Sequence, residues 1–177
     1  MHQVHRILHQ PLCPVFLGST LIALGVTAIS QPAQAQAAYG SYIGGGAAFG
    51  VTSGEGGAED NATYGLVTAR YRFLQIPISL RTQVLIGRNT AIVPTVSYDF
   101  PLSWNADAYV GVGASLSDGD IASPLGNKNS FAIQPGIDYS LPNSNLVLFG
   151  NAIFALDAYR NDGGAAISLQ TGVGLRF

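Results

Sequence analysis

The sequence predicts an all-β protein: a closed, antiparallel, eight-stranded, up-and-down transmembrane β-barrel. Three observations predict it. Nearly every segment after residue 40 alternates apolar with small or polar residues, which is the period of a β-strand. Eight such segments are joined by connections that alternate between longer and shorter. The polar faces together carry only seven charges among many Gly, Ala, Ser and Thr residues, which suits a narrow interior better than a solvated surface.

The first 37 residues predict a cleaved secretory signal peptide, which leaves residues 38–177 as the barrel domain. Positions 1–10 carry Arg6, positions 15–29 are apolar and uncharged, and the small residues that follow predict cleavage after Ala35 or Ala37. An apolar run of 15 residues is too short for a membrane helix, which needs about 20.

The mature chain would contain neither histidine nor cysteine, since all of them lie in the predicted signal peptide: His2, His5, His9 and Cys13. Disulfide bonds are therefore not expected, and no serine has a histidine base to activate it. We therefore expect no enzymatic activity and no cofactor. We also expect no metal site, because the acidic loop at Asp118 and Asp120 lacks the spacing of a calcium loop. Basic residues are scattered singly, so nucleic acid is not an expected partner.

Four alternating segments make up the first half of the predicted barrel: 41–51, 63–73, 78–86 and 91–100. The first sets apolar residues such as Phe49 against a row of glycines, and the second sets Val67 against arginines. The third alternates aliphatic residues with Ser, Arg and Gln. The fourth keeps the alternation but contains Pro94, which cannot donate to a sheet and leaves the register there open.

The second half has four further segments: 104–116, 130–141, 146–156 and 165–177. Pro135 leaves the register of the sixth segment open, as Pro94 does for the fourth. In the seventh, Asn151 marks the polar face but Val147, Phe149 and Ile153 blur the alternation. The eighth alternates more strictly than any other and stops on an aromatic residue. It therefore predicts a strand with two distinct faces.

The connections place both chain ends on the side of the short turns. Short turns are predicted at 74–77, 101–103 and 142–145, and the other side has loops at 52–62, 87–90, 117–129 and 157–164. An even strand count with short turns on one side is how small membrane barrels are built. Aromatic residues on the apolar face gather near the short-turn ends, as in an interfacial girdle: Tyr71, Phe73, Tyr98, Phe100, Tyr139 and Phe177.

The last strand carries a specific resemblance. Phe177 ends the chain, and Leu175, Val173 and Leu169 precede it at alternate positions. This pattern resembles the C-terminal strand of bacterial outer-membrane β-barrels, and the chain is similar in architecture to the outer membrane protein A transmembrane domain type. The resemblance implies a bacterial outer-membrane location, a monomer in the lipid bilayer, and a C-terminal insertion signal (Leu169, Val173, Leu175 and Phe177) read by the barrel-insertion machinery.

The lumen charges give the main functional hypothesis. All seven fall in the short-turn half of their strands: Arg70, Arg72, Arg81, Asp99, Asp107, Asp138 and Arg176. An eight-stranded barrel is just wide enough for side chains to fill it, so we expect these charges to pair across the lumen as a plug. Glycines in the other half, such as Gly44, Gly46 and Gly172, are expected to leave room for water.

These features predict an envelope structural protein or a very narrow pore. The alternative is a surface adhesion or recognition protein that binds a partner through the loops 52–62, 117–129 and 157–164. A third interpretation, a soluble secreted carrier barrel, would place the apolar face inward instead of toward lipid.

Overall fold

The computed structural model describes residues 40–52, 63–117, 123–160 and 164–177. These residues form eight strands: β1 (Tyr42–Gly50), β2 (Thr63–Arg72), β3 (Ile78–Ile86), β4 (Ala91–Pro101), β5 (Ala106–Ser117), β6 (Ser130–Ser140), β7 (Leu146–Leu156) and β8 (Ala166–Arg176). Each strand pairs antiparallel with the next, and β1 also pairs with β8 to close the barrel. The predicted fold class is confirmed. The predicted signal peptide, residues 1–37, lies outside the described residues and stays a prediction.

Each predicted strand is present, with ends within two residues of the prediction. Both prolines are accommodated at breaks in the pairing with one neighbour. Pro94 pairs with Thr82 of β3 but falls in a gap of the β4–β5 register. Pro135 likewise pairs with Val110 of β5 but falls in a gap of the β6–β7 register. A residue without an N–H is tolerated where a ladder is interrupted, so neither proline displaces its strand.

The barrel has its apolar face outside and its polar face inside. Large aliphatic side chains such as Leu80, Val96 and Val112 are exposed on the outer wall, whereas most of the buried polar and charged residues point into the lumen. The six girdle aromatics are all on the outer wall. Closure pairs the backbone groups that an open sheet would leave at its edges, which a hydrocarbon environment requires. This arrangement is that of a transmembrane β-barrel. Among the described residues, no helix is long and apolar enough to cross a membrane.

The loop-side half of the lumen differs from the sequence-based expectation. Instead of space for water beside small residues, it contains a cluster of buried apolar side chains that includes Leu66, Leu85, Val93 and Ile153. The blurred alternation of β7 arises because Val147, Phe149 and Ile153 are apolar, yet all three point inward and are buried. Ile153 lies in the loop-side half, whereas Val147 and Phe149 lie nearer the short turn before β7, where Phe149 stacks on Tyr42.

The inward-facing glycines make room for neighbouring side chains and backbone. The ring of Phe149 lies over Gly172 and the ring of Tyr42 lies over Gly174, where a Cβ atom would overlap them. At the β1–β8 seam, Gly44 pairs with Gly174 and Gly46 pairs with Gly172, and a Cβ on Gly46 would strike the backbone of β8. Close approach of the two backbones therefore requires glycine at this seam.

Candidate functional site

The candidate site is a set of charged side chains in the short-turn half of the lumen. The strand register places like charges side by side: Arg70 is opposite Arg81 across β2 and β3, and Asp107 is opposite Asp138 across β5 and β6. Like charges in directly opposed positions destabilise an isolated strand pair. Their stabilisation has to come from across the lumen, and therefore depends on closure of the barrel.

Four of these residues form a compact square, which we call the inner cluster: Arg70, Arg81, Asp99 and Asp138. Arg70 contacts Asp99 at 2.8 Å and Asp138 at 2.9 Å, and Arg81 contacts Asp138 at 2.8 Å and Asp99 at 3.2 Å. Within the inner cluster, each guanidinium thus has two carboxylate partners, and each carboxylate has two guanidinium partners. All four residues are buried, with no more than 3% of their surface exposed.

Hydroxyl groups satisfy the remaining positions around the inner cluster. Ser79 donates to Asp99 and accepts from Arg70 Nε at 3.2 Å. Ser97 donates to Asp99 Oδ1 at 3.2 Å and accepts from Arg81 Nε at 2.9 Å. A buried charge is tolerated when it is both paired and hydrogen-bonded, and this cluster meets both conditions.

Two tyrosines complete the inner cluster. Tyr42 donates from its hydroxyl to Asp138 at 3.0 Å, and its ring stacks on Phe149 with 5.9 Å between the centroids. The guanidinium of Arg81 lies 3.3 Å from the ring centroid of Tyr109, a cation–π contact in a buried setting. Both tyrosines alternate in phase with the inward-facing residues of their strands, but the sequence-based hypothesis included only the charged residues. Their position on the same face as the charges was the signal that could have found them.

The remaining charges lie closer to the short-turn rim. Arg72 pairs with Asp107 at 2.6 Å, and both side chains keep about a fifth of their surface exposed. Asp107 is 3.6 Å from Arg70, which links this rim pair to the inner cluster. Arg176 donates to the carbonyl oxygen of Ser144 in the turn between β6 and β7. Ion pairs thus join six of the seven predicted residues, and the partner shown for Arg176 is a backbone carbonyl.

The opposite mouth carries a second candidate site, formed where the connection before β6 meets the one after β7. Asn127 donates from its backbone N–H to the carbonyl of Ala158 at 3.0 Å, and Arg160 donates to Asn127 twice. Lys128 pairs with Asp157 at 2.5 Å, and Leu125 is fully buried beneath them. We call residues 123–129 and 157–160 the loop clasp. It closes over the loop-side apolar cluster.

Within the ranges that the structure describes, no group of three or more His, Cys, Asp or Glu residues is placed to hold a metal ion. Asp118 and Asp120, considered above as a possible cation site, lie outside the described residues.

Comparison with known proteins supports the fold. No protein-family model matches the chain, and no curated protein matches it. Ail, the attachment invasion locus protein of Yersinia pestis, superposes with a TM-score of 0.54 at 17% identity, covering 77% of this chain and 97% of Ail. A de novo designed transmembrane β-barrel gives 0.54 at 12% identity, covering 78% of this chain and 96% of the design. Neisserial surface protein A gives 0.50 at 18% identity, covering 77% and 97%. The chain has the fold of small eight-stranded outer-membrane barrels, as its last strand predicts.

Proposed function

We propose that this protein is a small outer-membrane β-barrel with a closed lumen, and that it serves as an envelope structural protein. The observation that carries the proposal is the inner cluster, in which every charge is buried and doubly paired. The charges of its two arginines and two aspartates cancel, so the cluster has no net charge to attract a permeating ion. We propose no enzymatic role, since the mature chain would lack histidine and cysteine.

A second barrier to ions, made of apolar side chains, lies in series with the inner cluster. In the loop-side half, apolar side chains including Leu66, Leu85 and Ile153 are buried against one another beneath the loop clasp. An ion that passed the inner cluster would lose its hydration among these side chains, which is costly in a low-dielectric environment. Two barriers of different chemistry favour a closed barrel over a very narrow pore.

Single-channel recording tests the proposal directly. The refolded chain 38–177 would be placed in a planar bilayer, with a heat-dependent gel shift to show that the barrel is folded. We expect no discrete conductance steps from the natural sequence. Steps that grow when Arg81 is replaced by Ser would contradict the proposal and make the inner cluster the gate of a narrow pore. Lys128→Ser is the matched control, because it removes one positive charge at the exposed loop clasp instead of the lumen.

A second candidate function is surface recognition through the loops, and the loop clasp favours it. Hydrogen bonds and an ion pair hold residues 123–129 against residues 157–160, so these loops present a defined surface. A loop held in one conformation pays less entropy on binding a partner. The recognition hypothesis predicts that binding is lost when the loops are exchanged and is unchanged by Arg81→Ser.

The excess of acidic residues on the loop side restricts the chemical class of partner that the loops would bind. Seven acidic residues lie in or beside these loops: Glu55, Glu59, Asp60, Asp118, Asp120, Asp157 and Asp162. Three basic residues accompany them: Arg88, Lys128 and Arg160. Ail has been crystallised with the heparin analogue sucrose octasulfate, but an acidic loop surface repels a polyanion. We expect no retention of this protein on immobilised heparin at physiological salt. Retention there would contradict the expected preference for neutral or cationic partners.

A further inference from the structure

We propose that two neighbouring short turns form an apolar lip that inserts into the interfacial region of the membrane and anchors one side of the barrel. The lip consists of Leu74 and Ile76, in the turn between β2 and β3, and Leu102 and Trp104, in the turn between β4 and β5. All four side chains are exposed, and Trp104 has 97% of its surface accessible. An exposed apolar patch that is continuous in space marks an interaction surface.

Backbone hydrogen bonds hold both turns in place. Phe73 donates to the carbonyl of Ile78 at 3.0 Å, and Asp99 of β4 donates to the carbonyl of Pro77 at 2.8 Å. Leu102 and Ser103 both donate to the carbonyl of Ala106, at 2.9 and 3.1 Å. The side chains of the lip therefore project from a fixed backbone.

The lip is confined to one side of the rim. The third short turn, between β6 and β7, contains Asn143, Ser144 and Asn145, and its hydroxyl and carbonyl groups bond within the turn and to Arg176. This turn lies across the barrel from the turn between β2 and β3, as the strand order requires. An apolar extension on one side and a polar turn on the other predict that the barrel is seated asymmetrically.

The partner that fits the lip is the lipid bilayer, because the lip continues the lipid-facing wall. Leu74 follows the girdle pair Tyr71 and Phe73, and Leu102 follows the girdle pair Tyr98 and Phe100. A wall that faces lipid up to its aromatic girdle and then continues as Leu, Ile and Trp extends the same interface.

A groove between the two turns has the mixed character of the headgroup region. It has a volume of about 450 Å³ and is lined by apolar side chains together with the amide of Gln75, the hydroxyl of Ser103 and the guanidinium of Arg72. Tryptophan next to such polar groups is typical of the boundary between headgroups and acyl chains, where one end of the ring is apolar and the other hydrated. The groove is large enough to admit part of one lipid molecule at this boundary.

The single tryptophan of the chain makes the proposal directly measurable. Trp104 is the only one, so fluorescence of the refolded protein in phosphatidylcholine vesicles reports on the lip alone. We expect a blue-shifted emission and strong quenching by phosphatidylcholine brominated close to the headgroup. We also expect quenching by aqueous acrylamide to be at least about twofold weaker than at a polar turn, because the ring lies at the lipid interface.

The matched control moves the tryptophan to the polar turn by combining Trp104→Phe with Ser144→Trp. Its fluorescence is expected to remain accessible to acrylamide and unaffected by brominated lipid. Equal accessibility of the two tryptophans would overturn the proposal. Protection of Trp104 that disappears on dilution of protein in lipid would also overturn it, in favour of a second copy of the chain as the partner.

This inference rests on the proposed membrane location, and the two can fail separately. If the chain does not enter vesicles, as judged by flotation and the heat-dependent gel shift, the proposed function fails. If the barrel inserts but Trp104 remains in water, only the lip proposal fails.

Discussion

Asp138 is the residue on which the inner cluster depends most. Its carboxylate accepts from Arg70 at 2.9 Å, from Arg81 at 2.8 Å and from Tyr42 at 3.0 Å, so it joins β6 to β1, β2 and β3, which are distant from it in sequence. Removing one partner of a buried ion pair leaves an uncompensated charge and typically costs about 3–5 kcal/mol. The two arginines would then share one remaining buried carboxylate, Asp99.

We therefore predict that Asp138→Asn lowers the free energy of unfolding by about 3 kcal/mol while keeping the shape of the side chain. Urea titration of the refolded barrel in vesicles, read from the folded and unfolded gel bands, measures the change. Asp157→Asn is the control, since it removes a carboxylate from an exposed ion pair. This change is expected to lower the free energy of unfolding by about 1 kcal/mol or less. Equal shifts for the two variants would show that burial adds nothing to the inner cluster.

At the scale of an element, glycine and aromatic residues on adjacent strands decide how side chains fill the lumen. Gly136 of β6 lies beside Tyr109 of β5, and a Cβ atom there would come within 2.5 Å of the tyrosine ring and 2.6 Å of Asn151 Cβ. Backbone and ring would both have to shift, and the ring also supports Arg81.

We predict that Gly136→Ala destabilises the barrel by about 1–3 kcal/mol, the usual cost of overpacking. Gly150→Ala is the matched control, because Gly150 lies in the adjacent strand β7 and an added Cβ meets only Gln170 O at 3.9 Å, an ordinary contact. The same urea titration compares them. A Gly136→Ala barrel as stable as the natural one would mean that Tyr109 can move without cost.

The last strand provides an element-scale prediction about assembly. Phe177 is exposed on the outer wall next to Leu175, and its backbone N–H donates to Ser41 across the β1–β8 seam. We predict that Phe177→Ala slows assembly by the cellular insertion machinery, measured as heat-resistant folded protein over time in cells. Phe177→Tyr is the control that keeps an aromatic ring. Unaided refolding into vesicles should be nearly unchanged by Phe177→Ala. An equal loss in both assays would assign Phe177 to stability instead of recognition.

Strands could be predicted from the sequence because the lipid-facing residues alternate with small or polar ones along each strand. Strand β7 is the exception. In β7 the inward residues Val147, Phe149 and Ile153 are apolar and buried. Ile153 belongs to the loop-side cluster, and Phe149 stacks on the ring of Tyr42 in the short-turn half. Alternation reports the two faces of a strand only where the two environments differ in polarity, and here both are apolar.

The contacts of the candidate site needed the three-dimensional structure. The positions of Arg70, Arg81, Asp99 and Asp138 on one face and in one half of the barrel followed from alternation and strand order. Their pairing did not, because it depends on which side chains meet across the lumen and on the serines that orient them. The loop clasp could not be predicted from the sequence, because each of its hydrogen bonds uses at least one backbone group and its ion pair joins Lys128 to Asp157 in a different connection.

For the whole molecule, the charges are divided between two environments by the closed barrel. The arginines of the short-turn half lie within the lumen or its rim, whereas the remaining basic residues of the mature chain lie at the loop side: Arg88, Lys128 and Arg160. Proteases need a segment that can leave the folded structure, and strands paired within a closed, membrane-embedded barrel cannot do so.

We predict that trypsin, added to vesicles that contain the refolded barrel, cleaves only after Arg88, Lys128 or Arg160. Mass spectrometry of the fragments identifies the sites, and vesicle flotation shows that the protein is in the membrane.

Barrels inserted with the loop side inward should be protected, because the outer rim then offers only Arg72 and Arg176, which are partly buried by Asp107 and Ser144. Detergent alone should expose those loop sites without adding new ones. Cleavage after Arg70 or Arg81 in the folded protein would contradict the closed barrel, and recovery of the chain in the aqueous fraction would favour the soluble carrier interpretation.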